Sequence, residues 1–248
     1  MDVDAYLRRI GADRGDPLSR LVDRHLASVP FETLAIHLGE GIDLDPAALF
    51  DKIVVRRRGG FCHELNGLFG RLLAELGYEV TLLGARVAGD DGFSAPLAHL
   101  ALRVTGAEGA GAAGPWLVDV GFGRFGLGPV PFDDAATLRP APDGDLDVLG
   151  PDGEVAYRVE PHPRAREDFV PTCFWQSTAP DSFFTRNPTC SLPVDGGRVT
   201  LTGRTLVRTD ADGHRTEDEL TEGEALAAYR DRFGIVLDRL PAPLHPCP

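Results

Sequence analysis

Three residues have types and an order that suit nucleophilic chemistry. They are Cys62 at the end of "RRGGFC", His99 opening "HLALRV" and Asp119 inside "WLVDVGFG". A thiolate attacks an acyl group. An imidazole beside it holds the thiolate as an ion pair and moves the proton, and a carboxylate behind the imidazole fixes its tautomer. A thiol ionises readily at a helix N-terminus, because the positive end of the helix dipole favours the anion. The free value near 8.5 falls to roughly 3.5–7.5 in such settings. Two glycines and a phenylalanine deliver Cys62 to the start of a predicted helix, an approach that a purely structural cysteine does not need.

The other candidates fit less well. The four cysteines lie at 62, 173, 190 and 247, with no CxxC pair and no spacing that suits structural zinc, so no metal is expected. Among the seven histidines, His63 adjoins Cys62, but neighbours on a helix diverge by about 100°. His25 lies on a helix and His37 in a loop, His162 and His245 are flanked by prolines, and His214 sits in an acidic turn. His99 lies in a predicted buried strand. Asp119 interrupts an apolar run, and burying its charge is costly unless it is paired. A hairpin that sets His99 opposite Asp119 and Leu102 opposite Trp116 supplies that pairing, since opposed residues have Cβ atoms roughly 4.5–5.5 Å apart. Each residue also has a plainer reading: Cys62 as a small core hydrophobe, His99 as a hydrogen-bonded core histidine, Asp119 as a turn cap.

The elements that must position these residues are legible. "GDPLSRLVDRHLAS" predicts a helix capped by Asp16 with Pro17 at its first position, and "LDPAALFDKIV" repeats the device with Asp45 and Pro46. "VPFETLAIHLG" between them reads as a proline-broken connector. From Cys62, the residues Leu65, Leu68, Phe69, Leu72, Leu73 and Leu76 keep helical spacing, and Gly77 is placed to end the helix. Then the period changes. "YEVTLLGARV", "LAHLALRV", "PWLVDVGFG", "DLDVLG", "EVAYRVE", "PTCFWQST" and "RVTLTGRTLVRT" read as strands separated by turn signals. "TGAEGAGAAGP" reads as a loop. "TEGEALAAYRDRFG" returns to helix, with Thr221 and Glu224 spaced as a capping box and Gly234 closing it, and "PAPLHPCP" reads as an irregular tail. Helices first, then an antiparallel sheet or barrel, then a mixed segment predict an α+β fold.

Composition narrows the function. The 248 residues carry a net charge of −13, with 43% hydrophobic and 25% charged residues, as in an ordinary globular chain. The only dense basic run is Arg56–Arg58, which is expected to pair with nearby carboxylates, so a nucleic-acid partner is not expected. No apolar run is long enough for a bilayer, so no membrane partner is expected either. The acidic start "MDVDAYLRRIGADRG" lacks a signal-peptide pattern, and a cytoplasmic protein is expected.

Taken together, "VPFETL", "RRGGFCHELNGLF", "HLALRV", "LVDVGFG", "TAPDSFF" and the C-terminal "FGIVLDRL" resemble the arylamine N-acetyltransferase family over most of the chain. The resemblance implies an N-terminal helical bundle over 1–84, a central antiparallel β-barrel over 85–190 and a C-terminal α/β lid over 191–248, with a papain-like Cys-His-Asp triad of Cys62, His99 and Asp119. It implies acetyl transfer from acetyl-CoA, a co-substrate and not a bound cofactor. The acyl group would pass through a Cys62 thioester to the nitrogen of an arylamine or hydrazine, in ping-pong order. Phe31 and Phe122 match the family's aromatic pocket residues, and Arg124 matches a position linked to acceptor preference. Thr33 stands where relatives commonly have asparagine, and His63 where they have an apolar or aromatic residue, which bears on the acceptor. An amide synthase that closes a polyketide macrolactam would use the same triad, and a cysteine hydrolase would admit water to the acyl-enzyme. A non-catalytic module would have no reason to keep all three residues.

Overall fold

The computed structural model describes residues 1–106, 114–194 and 196–245. The chain opens with α1 (Val3–Ile10), α2 (Leu18–Ser28), a two-residue strand β1 (Phe31–Glu32), α3 (Leu34–Leu38) and α4 (Pro46–Phe50). A π-helical turn at Asp51–Val55 continues α4, and the long helix α5 (Cys62–Glu75) follows. Asp45 caps α4 by accepting from the Ala47 N–H, with Pro46 in the first turn, as its spacing predicts. The cap predicted for α2 is different. Pro17 itself occupies the cap position with extended backbone, so Asp16 falls one residue too early to reach the helix amides. Asp16 instead accepts from the Asp13 N–H at 2.9 Å and pairs with Arg20 at 3.3 Å. The expected connector folds into β1 and α3, which puts His37 on a helix and not in a loop.

Eight strands follow: β2 (Glu79–Gly89), β3 (Gly92–Phe93), β4 (His99–Thr105), β5 (Trp116–Asp119), β6 (Leu127–Pro131), β7 (Leu138–Pro140), β8 (Leu146–Leu149) and β9 (Val155–Arg164). They form an antiparallel sheet in the order β6-β5-β4-β2-β9-β8-β7, with β3 beside β2, curled into a half-barrel. Helices α6 (Arg166–Thr178) and α7 (Phe183–Arg186) lead into β10 (Thr189–Val194), β11 (Gly197–Thr202), β12 (Thr205–Thr209) and β13 (Arg215–Glu219). These pair in the order β1-β10-β11-β12-β13, backed by the final helix α8 (Glu222–Phe233). The capping box of Thr221 and Glu224 starts α8, and Gly234 ends it in the left-handed conformation. The α+β order of helices, curled antiparallel sheet, then sheet and helix is the predicted one. The cuts at 84/85 and 190/191 fall inside β2 and β10.

Two local expectations are corrected. "PTCFWQST" is the last part of α6, not a strand. Phe169, Cys173 and Gln176 are buried at helical spacing, while Phe174 and Trp175 are exposed. Pro171 and the aromatic pair disguise that period. The β4–β5 register is also shifted by two: Leu102 pairs with Val118 and Val104 with Trp116. A two-residue shift leaves every side chain on its predicted face, because the pleat repeats every second residue. The glycine-rich loop and the tail, with Cys247, extend into residues 107–113 and 246–248, outside the described residues.

The core sits around α5. Leu65, Leu68, Phe69, Leu72 and Leu73 are fully buried, packed with Tyr6 and Ile10 of α1 and with Leu102 and Val104 of β4. Each such side chain contributes about 1.5–3 kcal/mol on burial. That packing holds the N-terminus of α5 against the starts of β4 and the end of β5, where the three candidate residues lie.

Candidate active site

Cys62 is the first residue of α5, where backbone N–H groups have no intrahelical partner. The segment before it is wedged tightly. A Cβ on Gly59 would lie 1.9 Å from the Pro30 carbonyl oxygen, so only glycine fits there. Behind it, two of the three arginines of the run 56–58 pair with acids: Arg56 with Asp51 at 2.8 Å, and Arg58 with Glu32 at 2.9 Å and with Glu40 at 3.1 Å. Lys52 reaches Glu64 at 2.6 Å, and Glu64 in turn accepts from the Phe61 N–H at 3.2 Å, satisfying the amide just before the thiol.

His99 begins β4 and Asp119 ends β5, and both are buried. His99 Nε2 lies 2.6 Å from Asp119 Oδ2. A carboxylate only accepts, so Nε2 carries a proton towards Asp119 and Nδ1 remains for the Cys62 sulfur, whose charge acts on the imidazole. The Cys62 sulfur lies 3.7 Å from the Ala98 carbonyl oxygen, which places it against the residue preceding His99. The structure therefore brings Cys62, His99 and Asp119 into one contiguous chain of contacts.

Charge settles on this chain in one direction. Burial alone would lower the His99 pKa. The charges of Asp119 and of the Cys62 thiolate, with the hydrogen bond to Asp119, outweigh it and lift the value from 6.5 to about 10. Burial alone would raise the Asp119 pKa, but protonated His99 and hydrogen bonds from His99, Asn66 and the Gly121 N–H leave it lowered. His63 and His25 show the opposite case, with burial pushing both down to about 3. His63 Nε2 is bound to the Leu97 carbonyl at 2.9 Å and His25 Nδ1 to the Tyr6 hydroxyl at 3.1 Å, so both are neutral packing groups.

Cys62 and His99 open onto a cavity of about 780 Å³ that Phe31, Phe122 and Arg124 also line. Phe122 stands edge-on to His99, with ring centroids 5.3 Å apart, and Phe31 meets Phe184 at 6.1 Å. Arg124 is exposed at the rim, its guanidinium 5.9 Å from the Phe122 ring centre. Tyr157 packs on the imidazole at 4.8 Å and on Phe122 at 4.9 Å, so the three rings form one cluster. The donors close enough to share a metal ion, among the described residues, are Asp210, Asp212 and His214, which are exposed and do not line the cavity.

Asn66 is a residue that sequence reasoning missed. One turn after Cys62 and fully buried, it donates to Asp119 Oδ1 at 2.8 Å and to the Leu100 carbonyl at 2.6 Å, and it accepts from the Val120 N–H at 2.9 Å. It thus ties α5 to both strands at the carboxylate. The available signal was a polar side chain four residues after the thiol, within an otherwise apolar helix face.

The chain was compared with known proteins. A family model described as N-acetyltransferase matches residues 16–143 and 145–241. An arylamine N-acetyltransferase of Mycolicibacterium smegmatis is 38% identical, covering 97% of this chain and 94% of that protein. The solved arylamine N-acetyltransferase of Mycobacterium marinum is 33% identical with a TM-score of 0.84, covering 94% of this chain and 93% of the other. The same marinum enzyme in complex with CoA gives a TM-score of 0.84 at 34% identity over 94% and 93% of the two chains. No helix among the described residues is long and apolar enough to cross a membrane. With the fold, the sequence and the nucleophile segment in agreement, this chain belongs to the arylamine N-acetyltransferase family.

Proposed function

We propose that this enzyme moves an acetyl group from acetyl-CoA, through a thioester on Cys62, to the nitrogen of an arylamine or hydrazine. The observation that carries the reading is the buried His99, bonded to Asp119 and sharing with Cys62 the wall of a cavity large enough for a small aromatic amine.

The steps follow from the charges. The Cys62 thiolate attacks the thioester carbonyl, and the oxygen turns negative. The Cys62 N–H, free of an intrahelical partner, is a candidate donor to that oxygen. CoA leaves as its thiol, taking the proton from the His99 imidazolium. The amine then enters, attacks the acetyl-cysteine and gives its proton to the neutral imidazole, which restores the ion pair. Asp119 keeps the imidazole in one tautomer throughout. Phe31 and Phe122 would hold the aromatic ring of the acceptor and Arg124 its outer edge. Ping-pong kinetics follow because donor and acceptor use the same sulfur in turn.

Incubation with acetyl-CoA alone, followed by peptide mass spectrometry, tests the first half. The expected result is one acetyl group on Cys62, absent in Cys62→Ser and released on adding an arylamine as the N-acetyl product. Release at the same rate without amine would favour a hydrolase, and no acetyl on Cys62 would end the proposal.

A further inference from the structure

The sheet of β10 to β13 has two faces of opposite character. Cys190, Leu192, Val199, Leu201 and Leu206 pack on α8. The alternate residues would face water in an ordinary one-sided antiparallel sheet. Here that alternate face, including Ser191, Arg198, Thr200, Thr202 and Thr209, lines the same cavity as Phe31 and Phe122, so Cys62 and His99 open onto it too.

Arg198 is the unusual member. The chain carries 38 acidic residues against 25 lysines and arginines, yet the cavity lining includes Arg124, Arg198 and Arg215 and, among the described residues, no Asp or Glu. Arg215 is already paired with Glu217, and Arg124 lies exposed over Phe122. Half-buried Arg198 donates through Nη1 to the buried Ser191 hydroxyl at 2.9 Å, and Ser191 is itself bonded to the Thr200 hydroxyl at 2.8 Å. Among the described residues, no carboxylate lies within ion-pair distance of it, and burial pushes its pKa down with nothing to offset the cost. A guanidinium kept from water in a polar cradle, with donors left over, suits an incoming anion.

We propose that Arg198, oriented by Ser191 and Thr200, is a subsite for an anionic oxygen group of a substrate. The group is either a carboxylate on the amine acceptor or a phosphate on the acyl donor. The inference rests on reading this cavity as the site of acetyl transfer and adds to that reading a charge requirement on the ligand.

The test uses the full chain with Arg198→Leu, Arg198→Gln and Arg198→Lys. Acceptors are 4-aminobenzoate and its methyl ester, which share the aromatic amine and differ in the charge and one methyl group. Donors are acetyl-CoA and p-nitrophenyl acetate, which lacks phosphate. If the acceptor supplies the anion, Leu and Gln lower kcat/KM for 4-aminobenzoate by roughly tenfold or more with either donor and spare the ester. If the donor supplies it, they slow Cys62 acetylation by acetyl-CoA by a similar factor and spare p-nitrophenyl acetate. Lys restores part of either loss. An equal loss with every combination, or no loss with any, overturns the proposal. Agreement between Leu and Gln, with unchanged melting, separates the effect from misfolding. Calorimetric titration with benzoate and with inorganic phosphate needs no turnover. It reads the subsite even if Cys62 is never acetylated, and equal binding to wild type and variants would also overturn it.

Discussion

Replacing Asn66 with alanine separates the architecture of the carboxylate from its chemistry. The substitution removes three hydrogen bonds at a fully buried point. Asp119 Oδ1 keeps the Gly121 N–H at 2.9 Å. The Val120 N–H and the Leu100 carbonyl lose their Asn66 partner. An unsatisfied buried group costs about 1–3 kcal/mol, so two give a loss of about 2–6 kcal/mol. Domains commonly have about 5–15 kcal/mol of net stability, so the variant should remain folded with a clearly lower urea midpoint. With one clamp gone, Asp119 can turn away from His99, and a misplacement near 1 Å costs roughly 100-fold in rate. Single-turnover acetylation of Cys62 by acetyl-CoA should slow by about that factor. The pH profile of Cys62 alkylation by iodoacetamide should shift as the imidazole loses carboxylate support. A variant destabilised as calculated, with acetylation rate and alkylation profile unchanged, would refute the idea that Asn66 positions Asp119 and leave it a packing residue.

Three further outcomes follow from the same geometry. The His99 pKa rises from 6.5 to about 10 on folding, so the associated stability is complete below pH 6.5 and is lost as pH rises through about 10. The urea midpoint should therefore fall across that window in the wild type, and His99→Gln should flatten the fall. Burial pushes the Cys173 and Cys190 thiols upward, so iodoacetamide at neutral pH should label Cys62 and spare those two in the native protein, as read by peptide mapping. Lys52→Met strands the buried Glu64 carboxylate and weakens its hold on the Phe61 amide, and denaturant titration should show a loss of about 3–5 kcal/mol.

The nucleophile was the most legible part of the site, because its signals are local. Gly59 admits the Pro30 carbonyl, Cys62 sits at the helix start, and the apolar spacing of α5 fixes which face is inward. His99 and Asp119 were legible as misfits in apolar strands. Their register was not, because a pleat of period two makes registers two residues apart equivalent in pattern. The contact forms on the shifted register because both residues lie at strand ends, where the aspartate reaches diagonally to the imidazole. The α6 period was hidden by Pro171, which argues locally against a helix that tertiary packing of Phe169 and Cys173 stabilises. Asn66 and Arg198 depend on residues far along the chain, and no local pattern states what a polar side chain will meet. The alternation of Arg198, Thr200 and Thr202 is that of a solvated strand face. Only the assembled fold turns it toward the thiol.

The two-residue strand β1 has an importance beyond its size. Its backbone pairs with β10 on one side, Phe31 with Ser191, and bridges to Gly60 on the other, two residues from the sulfur. The C-terminal third is consequently not a detachable cover. Cutting the chain before β10 would unzip a seam running directly to the nucleophile's approach, so a shortened protein would forfeit its reactive centre along with its roof.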